Sequence, residues 1–187
     1  DLTQKDPEVV CRHTGAVYHP ETGEYTLDVW QRSFFADPAG RSVQMKSGNP
    51  LSKMDYAALF FVHYLLGATD TGVSGDWVSE KDIPGGAAFF RGPHTLPTQE
   101  IVGSFGDDLE VFKGQCGKLG GRPMDMADAA FAFYITPKVP VAVLYWQGDE
   151  DFGAEAKLLF DRSISSHLAL DIIYALAVMV CKTVSKT

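Results

Sequence analysis

The feature that most constrains this chain is one uninterrupted apolar run, Pro140 to Trp146, entered through Val139 and closed by Gly148. A strand with one wet face alternates apolar and polar residues, so a run without alternation predicts a strand covered on both faces, in the middle of a sheet. Gly148 is followed at once by Asp149, Glu150 and Asp151. Carboxylates therefore crowd the point where the strand leaves the core, and that end is the expected functional edge. A second apolar piece, Ala129 to Ile135, is turned into the run by Thr136-Pro137-Lys138. The two predict an antiparallel core hairpin over Ala129–Gln147.

Upstream, Asp6-Pro7-Glu8 opens a helix: Asp6 can cap free amides, Pro7 suits the first helical position, and Glu8 meets the positive end of the dipole. Gly15 ends it. Short β pieces come next at Ala16–His19, at Tyr25–Phe35 with a bend near Arg32, and at Ser42–Met45, with turns at Glu21–Glu24 and Asp37–Gly40. They read as a three-stranded antiparallel meander.

Asn49-Pro50-Leu51-Ser52 opens a second helix with Ser52 as cap and Asp55 completing a weak capping box. It runs to Gly67 and is apolar nearly all round, which predicts burial, with His63 hydrogen-bonded in the core. Residues 76–97 are irregular. Pro84-Gly85 suits a tight turn with a positive φ, and Gly85-Gly86 lets backbone approach something closely. Helices are expected over Pro97–Ser104 and Asp107–Leu119, then an apolar one over Leu168–Cys181, too short for the roughly 20 residues of a membrane span. The fold class is α+β: one domain over 1–187, an antiparallel sheet against three main helices starting near Ser52, Asp107 and Ser165.

Composition narrows the function classes. The 187 residues are 45% hydrophobic with a net charge of −8, which excludes a disordered chain and disfavours nucleic acid or an anionic membrane as partner. A basic or neutral partner fits better. Cysteines 11, 116 and 181 form no Cys-x-x-Cys pair, so neither a disulfide framework nor a sulfur-rich metal site is signalled, and a cytoplasmic setting is the expectation. Asp1 at the start suggests a piece of a longer polypeptide.

The candidate site residues fall in three groups. Trp77, Phe90, Arg91 and His94 belong to the irregular glycine and proline loop, where aromatics on exposed backbone suit a ligand and His94 suits acid–base or metal chemistry. Trp146, Asp149, Asp151 and Phe152 form the acid-tipped strand end; paired carboxylates can bind a hard cation, or one can act as a general acid, while a solvated turn is the plainer reading. Phe152, directly after the acids, suggests that this segment folds back onto the core. Asp161 and Ser163 precede the last helix and can cap it, or its free amides can receive a ligand anion. No zinc-enzyme spacing, phosphate loop, nucleophile elbow or dinucleotide fingerprint occurs.

Several pieces in order, Trp77-Val78-Ser79 with Ile83-Pro84-Gly85-Gly86, Phe90-Arg91-Gly92-Pro93-His94, Phe105-Gly106-Asp107, Leu119-Gly120-Gly121, Gly148–Phe152 and Leu159–Ser163, resemble the bacterial domain-of-unknown-function family numbered 3786, from about Asp6 to the C-terminus. The resemblance implies a setting among anaerobes. Some such relatives are joined to, or found beside, a cysteine-rich iron–sulfur domain like those of corrinoid methyl-transfer proteins, which implies an accessory role in anaerobic redox or one-carbon metabolism. The cysteine cluster itself is missing here, and the resemblance carries no catalytic residue.

Three functions remain in view. The first is a small-molecule or cofactor-binding accessory module whose loop and acid-tipped strand end close around one cleft. The second is an enzyme using His94 with Asp149 or Asp151 as an acid–base or cation site. The third is an interaction domain that docks a redox partner, such as an iron–sulfur or corrinoid protein. The cofactor is left unnamed.

Overall fold

A computed structural model describes residues 1–46 and 55–186. Helix α1 (Pro7–Thr14) starts where Asp6 accepts a hydrogen bond from the Glu8 amide at 2.9 Å, and it ends at Gly15 with φ 77°. Strands β1 (Val17–His19), β2 (Glu24–Val29), β3 (Arg32–Asp37) and β4 (Ser42–Met45) form an antiparallel meander in that order. The expected Tyr25–Phe35 piece is thus two strands, joined by the two-residue turn Trp30-Gln31. Trp30 has φ 56°, a conformation that such turns usually give to glycine or asparagine. Tertiary bonds hold it there: its amide donates to the Ile135 carbonyl at 2.6 Å, its indole N–H to the Leu119 carbonyl at 3.0 Å, and its ring packs on Phe133.

Helix α2 (Tyr56–Gly67) is capped by Asp55, which accepts from the Ala57 and Ala58 amides and pairs with Arg32 at 2.7 Å. The expected Ser52 cap lies outside the described residues. Phe60, Phe61, Tyr64 and Leu65 are buried, whereas Leu59 and His63 are exposed. His63 is therefore a surface histidine and not the expected core one, because the helix packs on the meander and on the last helix by one side only.

The second sheet has the order β5 (Trp77–Val78), β9 (Glu155–Asp161), β8 (Val139–Trp146), β7 (Ala129–Thr136), β6 (Arg122–Met124), all antiparallel. The apolar run sits at its centre, as its composition requires. The architecture is α+β with two antiparallel sheets where one was expected. Strands β5, β6 and β9 were not expected, and β9 in particular reads from the sequence as a lead-in to the last helix.

Register separates the faces of this sheet. Phe131, Phe133, Val141, Val143, Tyr145, Ala156, Leu158 and Phe160 enter the main core with α5 (Leu109–Lys118) and α6 (Leu170–Val184). The opposite face carries a smaller cluster made only of the sheet's own side chains, with Trp77, Met124, Trp146 and Leu159 over Ala130, Ala142 and Leu144. Cys116 and Cys181 are packing residues; burial pushes both thiols up to about 12. No described helix is long and apolar enough to cross a membrane.

His167 closes the core where α2 ends. Only 2% exposed, it accepts a hydrogen bond at Nδ1 from the Thr69 amide at 3.3 Å, and its ring meets Tyr64 edge-on. Burial, then the nearby Lys138 ammonium, hold its pKa below the usual 6.5, with Asp161 opposing and His13 adding to the shift. The folded state thus favours the neutral ring. Its contribution to stability is complete above about pH 6.5 and is lost as pH falls from there towards the depressed folded value. Urea unfolding should show a lower midpoint at pH 5.5 than at pH 7.5, and His167→Gln should flatten that difference; an unchanged pH slope in the variant would remove His167 as its source.

Candidate functional site

Chain geometry after β5 opens a groove beside β9. Trp77 pairs with Asp161 and Val78 with Phe160, after which the chain leaves the sheet. The exit is built locally. The Ser79 hydroxyl donates to Asp82 at 2.6 Å, Ile83 is buried, and the Gly86 amide donates to the Ile83 carbonyl at 2.7 Å. Gly85 has φ 79°, and a Cβ on Gly86 would lie 1.9 Å from the Glu80 carbonyl oxygen. The close approach expected of the paired glycines is thus to the chain's own backbone. One helical turn α3 (Gly86–Phe89), a 3-10 turn at Gly92–His94 and helix α4 (Gln99–Phe105) carry the chain back past β9.

Between this excursion and β9 lies a groove of about 770 Å³. Its buried floor is apolar, from Phe90, Ala156 and Leu158 with Leu96 half-buried beside them, while Thr95, Thr98 and Gln99 add polar lining and its rim carries Lys81, Arg91, Lys157, Glu80 and Glu155. Lys157 is occupied: it pairs with Glu155 at 3.0 Å and lies over the Trp146 ring at 5.3 Å. Arg91 and Lys81 are exposed, and among the described residues neither has an ion-pair partner. Chemically the groove can hold an apolar body and neutralise an anionic group on it.

The expected site residues distribute unevenly around this feature. Phe90 and Arg91 line the groove. Trp77 and Trp146 share the outer sheet face. His94 is stacked on Phe89 at 4.4 Å and meets Tyr174 edge-on at 5.3 Å, and the Tyr174 hydroxyl donates to the Pro93 carbonyl. Among the described residues no hydrogen bond or ion pair links His94 to Asp149 or Asp151. Asp149 instead closes its own turn, accepting from the Asp151 amide at 2.9 Å and the Phe152 amide at 2.7 Å; these bonds lower its pKa. Phe152 is 75% exposed, so the segment does not fold back onto the core. A Cβ on Gly148 would lie 2.7 Å from an Asp107 carboxylate oxygen, which sets this acidic turn beside the start of α5. Among the described residues no group of three or more His, Cys, Asp or Glu could hold a metal ion. Sequence reasoning passed over Lys81, Leu96, Lys157 and Leu158; the alternation of Ala156, Leu158 and Phe160 with Glu155 and Lys157 was the signal that would have found the strand and its edge.

Asp161 and Ser163 lie in a buried turn. The carboxylate accepts from the Ser74 amide (3.0 Å) and hydroxyl (2.9 Å), the Gly75 amide (2.7 Å), and the Ser163 amide (2.9 Å) and hydroxyl (2.6 Å). It caps the 3-10 turn Arg162–Ser166, whereas α6 itself begins after Ala169 without a side-chain cap. Burial alone would raise this carboxyl, but the donors from Ser163 and Ser74 outweigh it and bring the pKa down to about 2. Its contribution to stability is present above 3.8 and lost as pH falls from there to about 2. Asp161→Asn should cost about 2–4 kcal/mol in urea unfolding at pH 7 and should make the acid-side decline shallower. A loss below about 0.5 kcal/mol would show that the loop does not depend on the charge.

Comparison with known proteins comes to one positive result. No curated protein and no solved structure matches the chain. The family described as "Domain of unknown function (DUF3786)" matches over residues 6–183, nearly the whole length. The chain, with its groove between residues 79–99 and strand β9, therefore belongs to the DUF3786 family.

Proposed function

We propose that the chain is a ligand-binding accessory module whose site is the groove between residues 79–99 and β9. The observation that carries this reading is an apolar floor beside two exposed cations, Arg91 and Lys81, that have no ion-pair partner among the described residues. A volume of about 770 Å³ suits a ligand of cofactor size or a fragment of one. Apolar contact supplies affinity, and the guanidinium, able to grip two oxygens at once, supplies orientation. Binding without catalysis is favoured because His94 stacks one ring face on Phe89, meets Tyr174 edge-on, and among the described residues has no hydrogen-bonded or ion-paired acid. The wider setting, an accessory role in anaerobic redox or one-carbon metabolism beside an iron–sulfur or corrinoid protein, rests on the company kept by the relatives that the chain resembles.

A thermal-shift panel of corrinoids, haems, flavins and folates tests the reading. A ligand at a hundred times its Kd stabilises by about 2.7 kcal/mol, which for a domain of this size is a rise of roughly 5–10 °C. At least one anionic member should raise Tm, and Arg91→Glu, a change on an exposed side chain, should abolish the rise while leaving the unliganded Tm in place. No rise with any member would refute a small-molecule occupant, and a rise that survives the charge reversal would refute the groove as its site.

A further inference from the structure

We infer that the groove takes an extended, carboxylate-bearing polypeptide segment, which binds as an added strand along β9. The inference rests on the groove being the binding site and names the class of its occupant. Its starting point is the register of the sheet. Strand β5 covers only Phe160 and Asp161 of β9, so from Leu159 back to Glu155 the strand is paired with β8 on one side and, among the described residues, with no strand on the other. Those five consecutive residues, from both faces of the strand, all line the groove, so the opening runs along the strand's edge and not over one face. The space is where β5 would continue had the chain not turned out at Ser79.

An edge of this kind presents backbone groups. Alternate residues of a strand aim N–H and C=O at the same side, so two or three residues of 155–159 aim theirs away from β8. Among the described residues none of these groups has a side-chain or loop partner. Native edges are commonly blocked by a lysine reaching across them. Lys157 does the reverse: its ammonium leans over Trp146 of the neighbouring β8 and onto Glu155, which draws it away from the edge. Five strand residues span roughly 16 Å, enough to register a short extended segment.

Side chains of that segment would alternate. Those turned towards the core meet Phe90, Leu96, Ala156 and Leu158 and should be apolar. Opposite the edge stand Arg91 and Lys81, both exposed and unpaired, and they select a carboxylate in the segment or at its end.

The test uses the whole chain and a positional-scanning library of acetylated hexapeptides, read by fluorescence anisotropy. Pools with Asp or Glu at one position and Val, Ile or Leu two residues away should bind best. The best sequence is remade with alternate amides N-methylated, once on each edge. One set should lose at least about tenfold in affinity and the other much less, since only one edge meets β9. Free-acid and amidated forms separate a terminal carboxylate from a side-chain one. Hydrogen exchange should show at least two amides of 155–159 protected by the peptide, and Arg91→Glu should remove binding. No pool above a common baseline, or binding indifferent to both methylation patterns, overturns the inference. If the small-molecule panel still gives an Arg91-dependent shift in that case, the groove remains a binding site and only its occupant is wrong.

Discussion

The arrangement around the groove depends on one buried charge. Among the described residues, Asp161 is the formally charged side chain with almost no exposure, and its oxygens take donors from one remote piece of chain, Ser74-Gly75, and from its own turn at Ser163. Burying a carboxylate costs several kcal/mol unless donors replace its water, and here five do. Because Ser74 and Gly75 are two of the three residues involved, the connection from α2 must arrive at the C-terminal end of β9. That arrival fixes where β5 starts: Trp77 opposite Asp161, with Arg162 gripping Asp76 through backbone and side chain. Strand β5 then stays short because Ser79, Asp82 and the close contact of Gly86 with Glu80 turn the chain out of the sheet within two residues.

The groove thus results from two constraints acting at opposite ends of a two-residue strand. One end is pinned by a buried carboxylate held by neutral hydrogen-bond donors and the other is bent by a glycine that cannot carry a side chain. Neither constraint serves stability alone, since a longer β5 would cover more of the β9 ladder. A fold that leaves backbone groups unpaired beside an apolar floor, and keeps two cations unpaired at the rim, holds in reserve interactions that an incoming group can complete.

How much was legible in the sequence depends on the range of the interactions involved. Helix α1 is declared by Asp6, Pro7 and Gly15 within its own residues, and the β7–β8 hairpin by two apolar runs and a turn. The turn at Trp30-Gln31 has no such local mark. A tryptophan with φ 56° is tolerable only because Ile135, Leu119 and Phe133, far along the chain, hold its amide, indole and ring. The candidate site divides the same way. Phe90 and Arg91 were found because they lie in the glycine- and proline-rich stretch, whereas His94, from the same stretch, packs against Tyr174 of α6, a contact that no spacing announces. The acids at 149–151 were conspicuous by composition, yet Asp149 uses its carboxylate on the backbone of its own turn.

Net charge also misleads if taken for the molecule as a whole. A chain at −8 points towards basic or neutral partners. The groove rim carries a small positive excess, since Glu155 is neutralised by Lys157 and Glu80 alone stands against Arg91 and Lys81. At physiological ionic strength, exposed charges beyond about 8 Å are largely screened, so the distant acids weigh little against a guanidinium in contact. The overall charge does act on the approach, discouraging anions that offer nothing but charge. On the proposed reading, a ligand would have to bring apolar surface for the lining, and backbone or other polar groups for the β9 edge, before its carboxylate came within reach of Arg91. Selection by the combination, and not by charge alone, is what separates this groove from a generic basic patch.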